Sequence, residues 1–144
     1  MAVMEDNTMN KIDEYLYKYG LHDCVIDKIY VQNDLLFFSF STGVYNLDEK
    51  GTETTKTAEC IMRLEIDGLN VKRMWEHIEI LKIYKNKISE INFEVFVEEV
   101  NNYKFEIIDN YLSYFGCSIL IEGYSLKHKY QIKISEVIKI EFVF

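Results

Sequence analysis

The chain has 144 residues, 49% of them hydrophobic and 28% charged, with a formal net charge of −8. That length and balance describe one soluble globular domain and argue against a disordered chain. The negative charge repels phosphate backbones, which weighs against non-specific nucleic-acid binding.

Eleven Tyr, nine Phe and many Ile and Val stand against only Ala2 and Ala58, so the side chains favour pleated sheet over helix. There is no proline, so sheet edges must be short, charged or covered by other means. Richness in Ile, Lys, Asn and Tyr fits a low-GC bacterial genome. Cys24, Cys60 and Cys117 are odd in number, widely spaced and set in apolar sequence, which predicts reduced, mostly buried thiols. The start of the chain has no signal-peptide pattern, and no apolar run approaches the ~18 residues of a membrane span. The expected compartment is the cytoplasm.

Met1–Asn7 is polar and is expected to be disordered. From Thr8, Ile12, Tyr15, Leu16 and Tyr19 repeat with helical spacing, and Gly20 supplies a helix stop. Cys24–Gln32 and Leu35–Phe40 read as two strands around the Asn33-Asp34 turn. The second is apolar on both faces, so it should be central and covered on both sides. Ser41-Thr42-Gly43 marks a turn, Val44–Leu47 continues as strand, and Asp48–Lys56 reads as a solvent loop.

Ala58, Cys60, Met62, Leu64 and Ile66 alternate with mostly charged residues, the pattern of a half-buried strand. After the Asp67-Gly68-Leu69-Asn70 turn, Met74–Tyr84 alternates less well but ends in Ile78–Tyr84, which is expected to be strand. Asn92–Asn102 fits a helix. Phe93, Phe96, Val97 and Val100 share one face, Asn92 is the N-cap and Glu94 favours the N-terminal end. Tyr103–Asp109, Cys117–Tyr124, Lys129–Ser135 and Val137–Phe144 complete about nine strands, the last with Ile138, Ile140, Phe142 and Phe144 inward. The expected fold is mainly β, an antiparallel sandwich or strongly curved sheet with two short helices.

The common catalytic and nucleotide-binding motifs are missing, and no catalytic residue, metal site or cofactor is expected. Gly51–Thr57 has an acid where a phosphate cradle needs backbone N–H groups. His22-Asp23-Cys24 puts a His, a carboxylate and a thiol together, but neighbours at a strand start splay apart. His22 and Asp23 are therefore read as a structural junction that bonds backbone where helix meets sheet. In a strand, His77, Glu79 and Trp75 would share a face and form a polar cluster at the surface. Tyr103, Tyr111, Tyr114, Phe115 and Tyr124 read foremost as closing one end of a β core, with a binding surface as the alternative.

Charge is unevenly spread. Arg63, Lys72, Arg73, Lys82, Lys85 and Lys87 give one segment a basic excess, whereas Glu90, Glu94, Glu98, Glu99, Glu106 and Asp109 face only Lys104. Such an acidic stretch, with Tyr103 and Tyr111, could bind a basic protein partner, and Glu94, Glu98, Glu99, Tyr103, Asp109 and Tyr111 are the candidate contacts.

Leu21-His22-Asp23-Cys24-Val25-Ile26-Asp27-Lys28-Ile29, followed by Leu35-Leu36-Phe37-Phe38, resembles the opening of small uncharacterised bacterial β proteins. Their close resembles Ile134-Ser135-Glu136-Val137-Ile138-Lys139-Ile140-Glu141-Phe142. Some of these look like immunity proteins of polymorphic toxin systems, which act by binding and blocking a toxin. The resemblance covers the two ends of the chain and implies a non-catalytic protein that binds a toxin; the acidic stretch adds that such a toxin would present a basic surface. Two other functions fit the same residues: a small-molecule binder or enzyme with a cavity between the sheets, using His77 or His22, and a self-associating protein that pairs Val137–Phe144 across a homodimer.

Overall fold

A computed structural model describes residues 18–113 and 117–144. The helix expected from Thr8 falls outside these residues except at its end. There Tyr19 and Gly20 form a two-residue strand, β1, paired with Tyr45 and Asn46, so Gly20 does not act as a helix stop.

The described residues form thirteen strands in three antiparallel sheets, four more strands than the pattern suggested. A four-stranded sheet has the order β13 (Val137–Val143), β7 (Cys60–Ile66), β4 (Leu35–Phe40), β3 (Lys28–Gln32). A six-stranded sheet runs β2 (Val25–Ile26), β10 (Phe105–Ser113), β11 (Ser118–Ser125), β12 (His128–Ile134), β8 (Ile78–Tyr84), β9 (Lys87–Glu90). A small sheet joins β1, β5 (Tyr45–Leu47) and β6 (Glu53–Lys56).

Several expected boundaries move; Tyr103, for one, ends the helix Phe93–Tyr103, and the strand expected over Tyr103–Asp109 runs from Phe105 to Ser113. Cys24–Gln32 is two strands in different sheets: β2 pairs with β10, and β3 pairs with β4. Asp27 makes the switch. Its N–H donates to the Ser39 carbonyl, and its carboxylate accepts the Ser41 N–H and sits 3.3 Å from Lys104 Nζ. Burial alone would raise the Asp27 carboxyl, but hydrogen bonds from Ser41 and Lys104 outweigh it and hold the group below its ordinary value. Asp48–Lys56 is not all loop, because Glu53–Lys56 pairs back on β5. The strand expected at Ile78–Tyr84 is found there, preceded by a 3₁₀ turn, Val71–Glu76.

The inner faces of the two larger sheets share one core. Leu36, Phe38 and Phe40 of β4 and Met62, Leu64 and Ile66 of β7 join Ile119, Ile121, Ile132 and Ile134 from the other sheet. As expected, β4 is an interior strand. Its outer face is only half-covered, with Phe37 stacked on Tyr30 at a ring separation of 4.8 Å. The phase of β13 differs from the simple alternation. A bulge between Val137 and Lys139 turns Val137 inward in place of Ile138; Ile140 is buried and Phe142 packs half-buried on the core, as expected, while Phe144 is exposed.

Edges are protected without proline. Arg63, Lys139 and Glu141 form an ion-pair group on β13 and β7, and hydrogen bonds from Lys139 and Arg63 hold the Glu141 carboxyl below its ordinary value. The β9 edge is four residues long, and the β3 edge is covered by helix α1, Phe93–Tyr103.

Lys104, between α1 and β10, has φ 66° and ψ 170°, a region suited almost only to glycine. It is held there by its N–H on the Val100 carbonyl (2.7 Å) and by its own carbonyl, which accepts from Ser125 Oγ (2.7 Å). Lys104→Gly should relieve about 1–3 kcal/mol of strain. Set against that are the extra unfolded-state entropy of glycine, about 0.5–1 kcal/mol, and a half-exposed ion pair to Asp27. A net stabilisation of about 1 kcal/mol in urea unfolding is the expected result. A destabilised variant would show that the Asp27 pair outweighs the strain.

Candidate interaction trough beside helix α1

Helix α1 forms where the sequence pattern places it. Asn92 Oδ1 accepts the Glu94 N–H at 2.8 Å, and Glu94 lies in the first turn, where its charge complements the exposed N–H groups. Phe96 and Val100 point inward, and the Phe96 ring meets Phe105 edge-on at 5.6 Å and Tyr130 at 5.0 Å. Asn101 Oδ1 accepts the Ile29 N–H at 3.0 Å, which fastens the helix along the β3 edge.

Opposite the helix stands the 3₁₀ turn. Asn70 Oδ1 caps it by accepting the Lys72 N–H at 2.9 Å, and a kink at Arg73 turns Met74 inward and leaves Trp75 66% exposed. Between the turn, α1 and β3 lies a trough made of two adjoining cavities, a mostly apolar one of about 660 Å³ and a more polar one of about 300 Å³. Val71, Met74, Phe93 and Glu94 line both. Tyr30, Val31 and Val97 extend the larger one, and Trp75 and Ile78 wall the smaller. Glu90, Glu94 and Glu98 stand along one side, with Lys72 also on the lining.

The acidic stretch is therefore divided. Glu94 and Glu98 edge the trough. Glu99 turns the other way, with Oε2 buried and without a hydrogen-bond partner, beside Tyr130. Burial raises the Tyr130 phenol above its ordinary value, and its hydrogen bond to Glu99 and that group's charge raise it further. Asp109 and Tyr111 lie on the outer face of the six-stranded sheet, paired with Glu122 and Leu120, and Tyr103 is exposed at the end of α1. Tyr103, Tyr111 and Tyr124 are 59%, 53% and 42% exposed, so they do not close the core. Tyr114 and Phe115 lie outside the described residues.

The histidine candidates are apart from the trough's open face. His77 is buried. Its Nε2 meets the Gly68 carbonyl at 3.2 Å, its Nδ1 lies 3.4 Å from Glu136, and its carbonyl accepts the Ser135 N–H. Glu79 is exposed, so the expected shared face of His77, Glu79 and Trp75 does not form; the 3₁₀ turn breaks the strand alternation before Ile78. His77 ties three loops together.

His22 is at the surface, with Nδ1 3.3 Å from Asp23 and 3.7 Å from Glu53. Cys24 points inward. Burial pushes its thiol up to about 11, against the opposing charge of Lys56, so it stays protonated and is a poor nucleophile or metal ligand. Burial raises the Cys60 thiol as well. The junction at Asp23 is made by backbone: φ is 62°, and the N–H bonds the Ile107 carbonyl at 2.9 Å. The side chains that bond backbone near this corner are Cys24, whose thiol donates to the Gly20 and His22 carbonyls, and Asp27, four positions on from Asp23.

In the Gly51 loop, Asp48 Oδ1 accepts the Lys50 and Thr52 N–H groups, so a carboxylate occupies the place an anion would need. No group of three or more metal-binding side chains occurs among the described residues. No helix among them is long and apolar enough to cross a membrane.

Sequence reasoning missed Val71 and put Trp75 on a strand face with His77 and Glu79. The signal was present in Lys72-Arg73-Met74-Trp75-Glu76-His77, where the lone tryptophan sits among charges without strand alternation. Compared with protein-family models, curated proteins and solved structures, the chain matches none.

Proposed function

We propose that this chain is a non-catalytic protein-binding module that captures a partner with a basic surface, in the manner of an immunity protein that neutralises a toxin. The observation that carries the reading is the trough, where an apolar floor and an exposed tryptophan adjoin Glu90, Glu94 and Glu98. Aromatic anchors bordered by charge are the usual makings of a protein interface. The two larger sheets, read as the layers of a sandwich, form a rigid base for that surface. Cys24 and Cys60, buried as thiols, suit a reducing, cytoplasmic compartment.

A second reading has one observation in its favour. The larger cavity, about 660 Å³ and mostly apolar, falls in the size range of small-molecule sites.

The test of the first reading is a charge reversal. The double variant Glu94→Lys, Glu98→Lys is assayed for capture of a basic toxin domain encoded beside the chain. Loss of steering should slow association by at least about tenfold at low salt and flatten its salt dependence. The helix-dipole cost of losing Glu94, about 0.5 kcal/mol, is too small to unfold the domain. Unchanged association kinetics in the folded variant would remove the acidic wall from the binding surface.

A further inference from the structure

We infer that the trough receives an amphipathic helical segment of the partner, with apolar side chains on the trough floor and Lys or Arg one turn apart against Glu94 and Glu98. The inference rests on the protein-binding reading above and assigns the chemistry of its ligand.

Backbone geometry decides against an added strand. An incoming strand on β3 would need the Ile29 N–H, and Asn101 Oδ1 already holds it at 3.0 Å. The helix that carries Asn101 also lies along this edge. A segment entering here therefore binds through its side chains, and a helix does so with its own backbone hydrogen bonds satisfied.

The charges decide its polarity. Glu94 and Glu98 are four residues apart on α1, so their Cβ atoms repeat at about 6 Å along one wall. Cations at i and i+4 of a docked helix repeat at the same interval. Glu90 prolongs the acidic wall past the helix N-terminus. With a net charge of −8, the chain as a whole favours a cationic segment over an acidic one.

Apolar contact comes from Val71, Met74, Phe93 and Val97, with Trp75 walling the smaller cavity. Val71 and Trp75 are 53% and 66% exposed. Large apolar side chains left side by side at a concave surface gain most from being covered.

Trp75 is the chain's single tryptophan, so its emission reports on the trough directly. The probe is a synthetic helix-forming peptide of about 18 residues with leucine on one face and lysine at its flanks. Two controls replace the lysines by glutamate or the leucines by serine. Binding is read by Trp75 emission and by anisotropy of the labelled peptide.

Saturable binding with a blue shift is expected for the leucine–lysine peptide alone. Binding should weaken at least tenfold in Glu94→Lys, Glu98→Lys. It should also weaken at least tenfold in Trp75→Ala, read by anisotropy. Equal binding of the serine–lysine control would mean adhesion to an acidic surface and would overturn the assignment. So would an emission shift with toluene and none with any peptide, which would give the trough to small apolar molecules.

The two proposals fail separately. If Trp75→Ala captures a full-length basic partner at undiminished affinity, the trough assignment falls and the protein-binding reading survives. If the folded wild-type chain captures no such partner, the reading itself falls.

Discussion

Phe96→Ala should lower the unfolding free energy by about 3–5 kcal/mol, a large fraction of what a domain of this size possesses. Phe96 is 1% exposed, and its ring meets both Phe105 and Tyr130, so truncation leaves a cavity that neither aromatic neighbour can fill without leaving its own place. The helix would keep Val100 and the Asn101 bond to Ile29 but lose its central contact with the six-stranded sheet. Denaturation followed by far-ultraviolet circular dichroism measures the loss. Phe96→Leu should retain more than half of the stability that alanine removes, because it restores much of the volume. A cost below about 1 kcal/mol for alanine would mean that α1 is not seated on this core. The functional consequence is specific: a loosened α1 takes Phe93, Val97, Glu94 and Glu98 with it, and the trough loses a wall.

Gly123→Ala is the second large effect, expected to cost at least about 3 kcal/mol. Gly123 lies in β11 opposite Ile107, beside the bulge in β10 between Ile107 and Asp109. A Cβ added here would overlap the Glu106 carbonyl oxygen and stand 2.6 and 2.7 Å from Phe105 Cε2 and Cζ. The obstacle is backbone on one side and a fully buried ring on the other, so the strands themselves must part. Gly51→Ala provides the contrast. Nothing lies within 4 Å of its added methyl, and only the positive φ of 78° opposes it, worth about 1–2 kcal/mol. If the two variants melted together, close approach of β10 and β11 would not be the reason for Gly123.

Both effects involve residues whose importance differs in visibility from the chain alone. Phe96 was legible: Asn92 as cap and the spacing of Phe93, Phe96, Val97 and Val100 specify the helix and its buried stripe. Gly123 carried no such mark, because the Glu106 carbonyl that excludes a side chain belongs to another strand. Alternation likewise placed Cys60, Met62, Leu64 and Ile66 inward on β7. On β13 it held at Ile140 and Phe142 and failed at Ile138, where one bulge turns Val137 inward instead. It also failed on β6 and β9, each four residues long and exposed throughout, since a strand with no buried face has no alternation to show.

The candidate site divides along the same line. Its acidic wall could be read from Glu94 and Glu98, whereas Glu99, next in sequence, turns toward Tyr130, and Asp109 and Tyr111 belong to a different surface. The opposite wall, Val71 and Trp75, and the floor at Tyr30 and Val31 come from segments far away in the chain.

The sequence by itself determined the β-rich composition, the reading of α1 with its cap, the Asn33-Asp34 hairpin and the inward face of β7. These depend on residues within a few positions of one another, where spacing decides which side chains share a side. The tertiary structure alone decided that Asp27 passes the chain from one sheet to the other, that Tyr111 and Tyr124 face outward, and that α1, β3 and the 3₁₀ turn enclose a trough. Each of those depends on which distant segment covers a surface, and periodicity gives a strand or helix two sides without naming what packs against either.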